Sequence, residues 1–293
     1  MARNTATSGI GLYLLLTLLL SCIFYALIIG TGQMGAGRGM YVLGLMWCPG
    51  LAAVLACRLR GEDLGRLGWR WGEWRWQWTS YLVPLAYTAI AYVIVWTTGL
   101  GGFGNPEFID GLGKTLGWEG ASPWLNVLVF FLLAACVMII RAVSSGLGEE
   151  IGWRGFLAPA LTEKLGFTGG AFATGLIWGA WHLPILLFAD YNAGTPWWFA
   201  APCFLVQVVS SSVIMNWLRL RSGSLWTAAI VHGSHNLFIQ VFFTPITAPR
   251  GEITPYAIDE FGFVLPLVTA AFAFYFWRRR DELPRAGLGS RTS

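Results

Sequence analysis

From Gly11 to Gly30 the chain carries no charged side chain. As a helix rising 1.5 Å per residue, a run of about 20 apolar residues matches the hydrocarbon thickness of a bilayer. Inside that layer every backbone polar group has to be satisfied within the segment itself. Comparable runs recur at about 39–57, 79–98, 123–140, 168–189, 198–218, 224–243 and 261–277. Only 12% of the residues are charged, roughly half the share usual in a soluble domain. The expected fold is therefore all-α, one integral membrane domain over 1–293. Its architecture is a polytopic bundle of about eight transmembrane helices around a polar cavity. The first run is too long for the apolar region of a signal peptide and reads as a span. Pro49-Gly50 should kink the second.

Arginines fix the expected orientation. Arg58, Arg60, Arg66, Arg70 and Arg75 follow the second run, Arg219 and Arg221 the sixth, and Arg278, Arg279 and Arg280 the last. The opposite loops hold most of the acid, including Glu107, Asp110, Glu252, Asp259 and Glu260. An even number of spans puts both termini on the arginine side, which the positive-inside rule makes cytoplasmic. A prokaryotic plasma membrane is the expected location. Between Gly68 and Trp78, tryptophans alternate with Arg70, Glu73, Arg75 and Gln77. Between two spans, that pattern reads as anchorage at lipid headgroups, with no nucleic acid as partner. The five cysteines, Cys22, Cys48, Cys57, Cys136 and Cys203, sit in or beside apolar runs without ligand spacing and read as small buried residues.

Against this apolar background Gly148-Glu149-Glu150-Ile151-Gly152-Trp153-Arg154 stands out. A carboxylate leaves water at a high cost unless it is paired or used. Glu150 and Arg154 are four apart and can pair on a helix. Glu149 points about 100° away and has no evident local partner. The only histidines are His182, His232 and His235, all within spans. His232 and Asn236 share one helical face, whereas His235 is turned from it and reads mainly as packing. Trp178 precedes His182 by one turn and should pack beside the imidazole. Glu149, His182, His232 and Asn236 could converge on one active-site cavity. Two chemistries stay open. Glu149, His182 and His232 could hold zinc or another divalent metal with a position left for water. Without metal, Glu149 could take a proton from water while His232 and Asn236 donate to an oxyanion. HExxH, GxSxG and GxGD motifs are absent. Ser210, Ser211 and Ser212 lack a histidine nearby and should bond their own backbone.

The order EExxxR (Glu149, Glu150, Arg154), aromatic-xxxH (Trp178, His182) and HxxxN (His232, Asn236) resembles the CAAX-protease and bacteriocin-processing family. These are intramembrane endopeptidases of the Rce1/ABI type. The resemblance implies a motif-bearing catalytic core at about 122–245. It implies that Glu149 activates water as a base or through a metal, with Glu150 and Arg154 in support. His182 would position the water or metal, and His232 and Asn236 would stabilise the oxyanion or complete a ligand set. The implied substrate is a membrane-associated peptide or a prenylated or otherwise lipid-modified protein, such as a bacteriocin precursor, reached from the cytoplasmic side. The family usually has Phe where this chain has Trp178, which reads as a conservative change.

Two other classes compete. A non-catalytic immunity or scaffold protein of the same fold would tolerate loss of Glu149. A proton-coupled transporter would also bury Glu and His, but it should show paired inverted repeats with broken helices, and none is detectable. One expectation concerns depth. If Arg141 marks the end of the fourth span, Glu149 lies about 12 Å beyond it on a straight helix, outside the membrane that holds His182 and His232. Either Arg141 lies inside the bundle and the span boundary is misplaced, or a bent helix re-enters after Gly146, the favoured solution, since irregular backbone is tolerated where it lines a polar cavity.

Overall fold

A computed structural model describes residues 2–284. The first three apolar runs form α1 (Ala2–Thr31), α2 (Met40–Leu59) and α3 (Trp74–Thr97). The segment after α3, expected to be a polar loop, holds more structure than its composition suggests. Gly102–Phe103 pairs antiparallel with Thr247–Ala248 as a two-residue ladder, β1 with β2. Asn105 then caps α4 (Pro106–Leu116), its Oδ1 accepting from the Glu107 backbone N–H at 3.2 Å. These small elements leave the all-α class intact.

The next stretch departs most from expectation. Pro123–Phe188 is helical throughout, 66 residues with no loop. It consists of α5 (Pro123–Leu133), α6 (Ile139–Glu150) and α7 (Ala158–Phe188). These are joined by π-helical turns at Ala134–Met138 and Ile151–Leu157. The reversal comes at Gly166, where φ is 71° and ψ 176°. Only glycine adopts that backbone freely. A Cβ at Gly170 would meet Thr162 at 2.7 Å, so the two limbs of α7 fold back closely. The stretch therefore supplies two passes. α8 (Trp197–Ser222) follows, then α9 (Leu225–Asn236), which continues through a π-helical turn at Leu237–Phe243 into α10 (Thr244–Ile246). After the short α11 (Thr254–Ala257), α12 (Val264–Arg278) closes the bundle. Among the described residues, four helices besides Pro123–Phe188 are long and apolar enough to cross a membrane: Gly9–Thr31, Ala36–Leu59, Trp74–Thr97 and Trp197–Ser222.

Helix α6 is wedged between α2 and α9, and glycines let the backbones approach. A Cβ on Gly148 would sit 2.8 Å from the Met46 carbonyl, one on Gly50 2.5 Å from the Gly148 carbonyl, and one on Gly152 2.6 Å from Pro49. Small residues at such crossings let backbones pack in lipid, where hydrophobic burial offers no drive. Pro49-Gly50, where a kink is expected, lies at this crossing within one continuous α2. On the other flank Gly146 lies against His232 and Gly233 against Val143.

The span boundary near 140 is misplaced, as the second expectation has it, although Arg141 does not lie inside the bundle. The pass that hydropathy ends near 140 runs on through Glu150, so no segment re-enters. Because Val143 is level with Gly233, Arg141 lies partway along the Leu225–Ile246 rod and is exposed on the outer flank of α6. It neither ends the span nor points into the bundle. Glu149 is reached by going deeper along the same helix, and it is 2% exposed.

The interleaved Trp/Arg segment wraps the ends of α8 and α9. The Leu225 N–H donates to the Gly68 carbonyl at 2.7 Å and Trp226 Nε1 to the Trp69 carbonyl at 2.9 Å. Trp69, Trp71, Trp74 and Trp78 remain exposed, as a headgroup collar requires.

Gly148→Ala is expected to destabilise the protein by about 1–3 kcal/mol, the usual cost of overpacking. Gly111→Ala, on an exposed face of α4 with nothing near its Cβ position, should stabilise by roughly 0.5–1 kcal/mol. Unfolding midpoints of the two variants in one detergent check both signs.

Candidate active site

The two glutamates end α6, and a π-helical turn begins at the next residue, Ile151. Such turns are rare and concentrate at functional sites. Glu150 is fully buried and serves two partners. Arg154 Nη1 donates to its Oε1 at 3.0 Å and its Oε2 at 3.2 Å, and His232 Nδ1 lies 2.8 Å from Oε1. The pair expected from spacing is therefore present, and it reaches across to α9. The rest of the Arg154 guanidinium has no hydrogen-bond partner among the described residues. It lies instead over the Trp178 ring, 4.3 Å from the centroid, a cation–π contact strengthened by the dry surroundings.

Glu149, expected to lack a local partner, has two. Its Oε2 accepts from Trp178 Nε1 at 2.7 Å and from Trp153 Nε1 at 3.2 Å. Oε1 accepts no hydrogen bond from the described residues. Trp178 thus does more than pack beside His182. Its indole holds Glu149, its face carries Arg154, and its backbone carbonyl lies 2.9 Å from His182 Nδ1. Phenylalanine in its place would have no N–H to offer, so the change that reads as conservative adds a bond to the key carboxylate.

A carbonyl can only accept, so His182 Nδ1 carries a proton and Nε2 presents its lone pair when the ring is neutral. The ring is 7% exposed and packed against Trp181, Tyr191 and Phe204, at centroid distances of 4.7, 5.8 and 5.0 Å. His232 likewise commits its Nδ1 proton to Glu150, so its Nε2 donates only when the ring holds a second proton.

A cavity of about 520 Å³ brings Glu149, His182, His232 and Asn236 to one surface. Glu150 and Arg154 lie behind that wall. The expected metal set is not gathered in the same way. Among the described residues no three His, Cys, Asp or Glu side chains are grouped closely enough to hold an ion.

The far wall of the cavity was not foreseen. His235, expected mainly to pack, sits 2.7 Å from the Tyr87 hydroxyl through Nδ1 and 3.0 Å from Glu260 Oε1 through Nε2. Glu260 also accepts from Gln240 at 3.2 Å and Tyr191 at 3.3 Å. Burial and the adjoining Glu260 carboxylate push Asp259 up to about 7. Burial alone would raise Glu260, but its bond to His235 holds it below the ordinary carboxylate range. The signal was available: Asp259-Glu260 is a second adjacent acidic pair beside an apolar run, and it reads as loop only because it falls between spans.

The loops that line the cavity mouth and the arginine-rich loops lie at different ends of the bundle. At the arginine-rich end the π-helical segment Ile151–Leu157 is buried throughout. Arg219 seals it, donating from Nε to the Arg154 carbonyl at 3.2 Å and from Nη2 to the Leu67 carbonyl at 3.3 Å. The rim is built instead from the loops between α1 and α2, between α7 and α8, and before α12. The Met34 N–H donating to Asp190 Oδ1 at 2.6 Å ties the first two together.

Residues 121–238, which hold every one of these candidate side chains outside the far wall, match the model of the type II CAAX prenyl endopeptidase Rce1-like family. The chain is also 25% identical over 128 residues to a CAAX prenyl protease 2 of Methanococcus maripaludis. That alignment takes in 41% of this chain and 42% of the relative, so it spans about two-fifths of either. The likeness to the Rce1-like proteins lies in the segment that builds the cavity wall.

Removing Arg154 would leave Glu150 buried without its countercharge. Arg154→Ala is expected to destabilise by about 3–5 kcal/mol. Arg154→Met combined with Glu150→Gln should cost less than the sum of the two single changes, because the pair acts as one unit. A double-mutant cycle of detergent unfolding free energies checks this.

Proposed function

We propose that this chain is an intramembrane endopeptidase that hydrolyses a peptide bond with a water molecule activated by Glu149. The observation that carries the reading is the division of labour on that side chain. Two indole N–H groups hold Oε2, while Oε1 is left without a protein partner in a cavity shared with two histidines and an asparagine. A carboxylate held in this way is a positioned base.

The step then follows from the hydrogen bonds. Water in the cavity donates one proton toward Glu149 and the other to the His182 Nε2 lone pair. As its oxygen attacks the scissile carbonyl carbon, Glu149 takes a proton and the carbonyl oxygen becomes an oxyanion. The Asn236 amide donates to that oxyanion in any protonation state, and His232 Nε2 does so as an imidazolium whose charge Glu150 offsets. Collapse breaks the C–N bond, and the proton on Glu149 passes to the leaving amine. Trp178 and Trp153 act as positioning residues, and Glu150 with Arg154 fixes His232. The catalytic core in this reading is about 122–245. The substrate is a membrane-associated or lipid-modified peptide, with prenylated peptides first to be tried because the archaeal relative is a CAAX prenyl protease by name.

Purified wild type is expected to cleave members of a library of prenylated and unprenylated peptides, and Glu149→Ala to cleave none while keeping its unfolding midpoint. Activity should persist with a chelator present; its loss on chelation, restored by a divalent ion, would replace the metal-free base with a metal-held water. Equal cleavage by both proteins would sink the reading.

Trp178→Phe keeps the ring under Arg154 and removes one charge-assisted bond. Such bonds contribute about 1.5–3 kcal/mol, so kcat/KM should fall about 10- to 100-fold with KM little changed. Trp153→Phe should cost less, its bond to Glu149 being longer. Steady-state kinetics on one peptide check the ranking.

A further inference from the structure

Helix α8 packs on both α7 and α9, so it closes the cavity wall between His182 and His232. That wall is largely apolar, with Phe204, Val208 and Met215 bordering the space. Gln207 and Ser211 interrupt it. They are one turn apart, 1% and 3% exposed, and Gln207 Nε2 donates to Ser211 Oγ at 3.1 Å. Gln207 Oε1 has no hydrogen-bond partner among the described residues. Leaving a buried acceptor unpaired is costly, and no step derived above uses this one. The packing of α8 on α7 gives its depth. A Cβ on Gly179 would lie 2.9 Å from Leu205 and 3.1 Å from Val208, so Gln207, next to Val208, is level with Gly179. The residue before Gly179 is Trp178, whose indole holds Glu149. One turn nearer the rim, Phe204 meets the His182 ring at a centroid distance of 5.0 Å. Gln207 therefore stands at the level of the reacting groups, away from both the rim and the floor.

We infer that Gln207 binds the substrate, its Oε1 accepting the backbone N–H of a peptide group that flanks the scissile bond. This rests on the endopeptidase reading for the bond that is cleaved, but the binding of a peptide group does not. The carboxamide suits the task. Its amino group is held by Ser211, which fixes the plane of the amide and leaves the carbonyl as the free end. An oxygen that can only accept selects an N–H and gains nothing from an ester oxygen. Because every residue except proline carries that N–H, the contact gives affinity and register whatever the side chains are, and it disfavours proline at one position. A role confined to tying one turn of α8 through Ser211 would account for the amino group and leave the oxygen unexplained.

The test uses the full chain in detergent and the variant Gln207→Met, which keeps an unbranched side chain of similar length and removes the amide. A peptide that wild type cleaves is remade as a set in which each flanking backbone N–H in turn is replaced by an ester oxygen. For wild type, kcat/KM should fall about 3- to 10-fold with the ester at one flanking position, the worth of one neutral hydrogen bond, chiefly through KM. Gln207→Met should show that loss with the all-amide peptide, should be indifferent to the ester at that position, and should keep the wild-type response at the others. Its unfolding midpoint should be unchanged or higher, since an unpaired buried acceptor is gone. Ser211→Ala, which frees the amino group, should give a smaller loss at the same position and serves if Gln207→Met fails to accumulate. Wild-type activity in Gln207→Met, or an undiminished response to the ester at every position, would overturn the inference. A second arm measures binding of the dye-labelled set to the Glu149→Ala protein by fluorescence anisotropy, with the tightest-binding library member as parent if none is cleaved. Binding without cleavage by wild type would overturn the peptidase reading, and the same ester comparison, made in Kd, would then decide Gln207. No binding by any member of the library would overturn the inference itself.

Discussion

One carboxylate holds this site together. Glu150 is buried between Arg154, one turn along the same helix, and His232, which arrives 82 residues later in sequence on α9. In a low-dielectric interior neither the acid nor the guanidinium is tolerable alone. Once paired, they leave a carboxylate oxygen able to fix the histidine's ring and tautomer. Everything that faces the cavity depends on this concealed pair: it sets His232, it holds the guanidinium over Trp178, and Trp178 in turn carries both Glu149 and His182. The side chains expected to do chemistry are a thin layer over one salt bridge.

The close crossings serve the same end. Gly50, Gly148 and Gly152 bring α2 against α6, while Gly146 and Gly233 bring α9 against its other side. A glutamate at the end of α6 can reach a histidine on α9 only because nothing larger separates the backbones. The π-helical turn after Glu150 continues the chain to Gly166, where it reverses and returns Trp178 and His182 to the level of Glu149. Backbone approach and polar network are thus one arrangement seen at two scales.

Much of this was legible in the residues. Hydropathy placed the spans because lipid demands continuous apolar helices. The spacing of Glu150 with Arg154 and of His232 with Asn236 announced shared faces. The missing parts share a cause: they depend on contacts distant in sequence. Nothing local says that an indole from α7 would reach Glu149, so Glu149 read as solitary and Trp178 as a ring. The end of the fourth pass was misplaced because Arg141 interrupts the apolar run, and a charge on the outer flank of a helix looks in sequence like the end of a span. Asp259 and Glu260 were passed over as loop acids, although the bundle folds them onto the cavity wall.

The split origin of the site has a consequence for how the protein comes into being. Glu149, Trp153, Trp178 and His182 all belong to the single helical stretch folded at Gly166 and can meet as soon as that hairpin is inserted. His232 and Asn236 are on α9, and the far wall waits for Glu260, just before the last helix. A chain still being threaded into the membrane therefore carries a carboxylate with no assembled partner site. The full set of side chains around the cavity is complete only when the final passes dock.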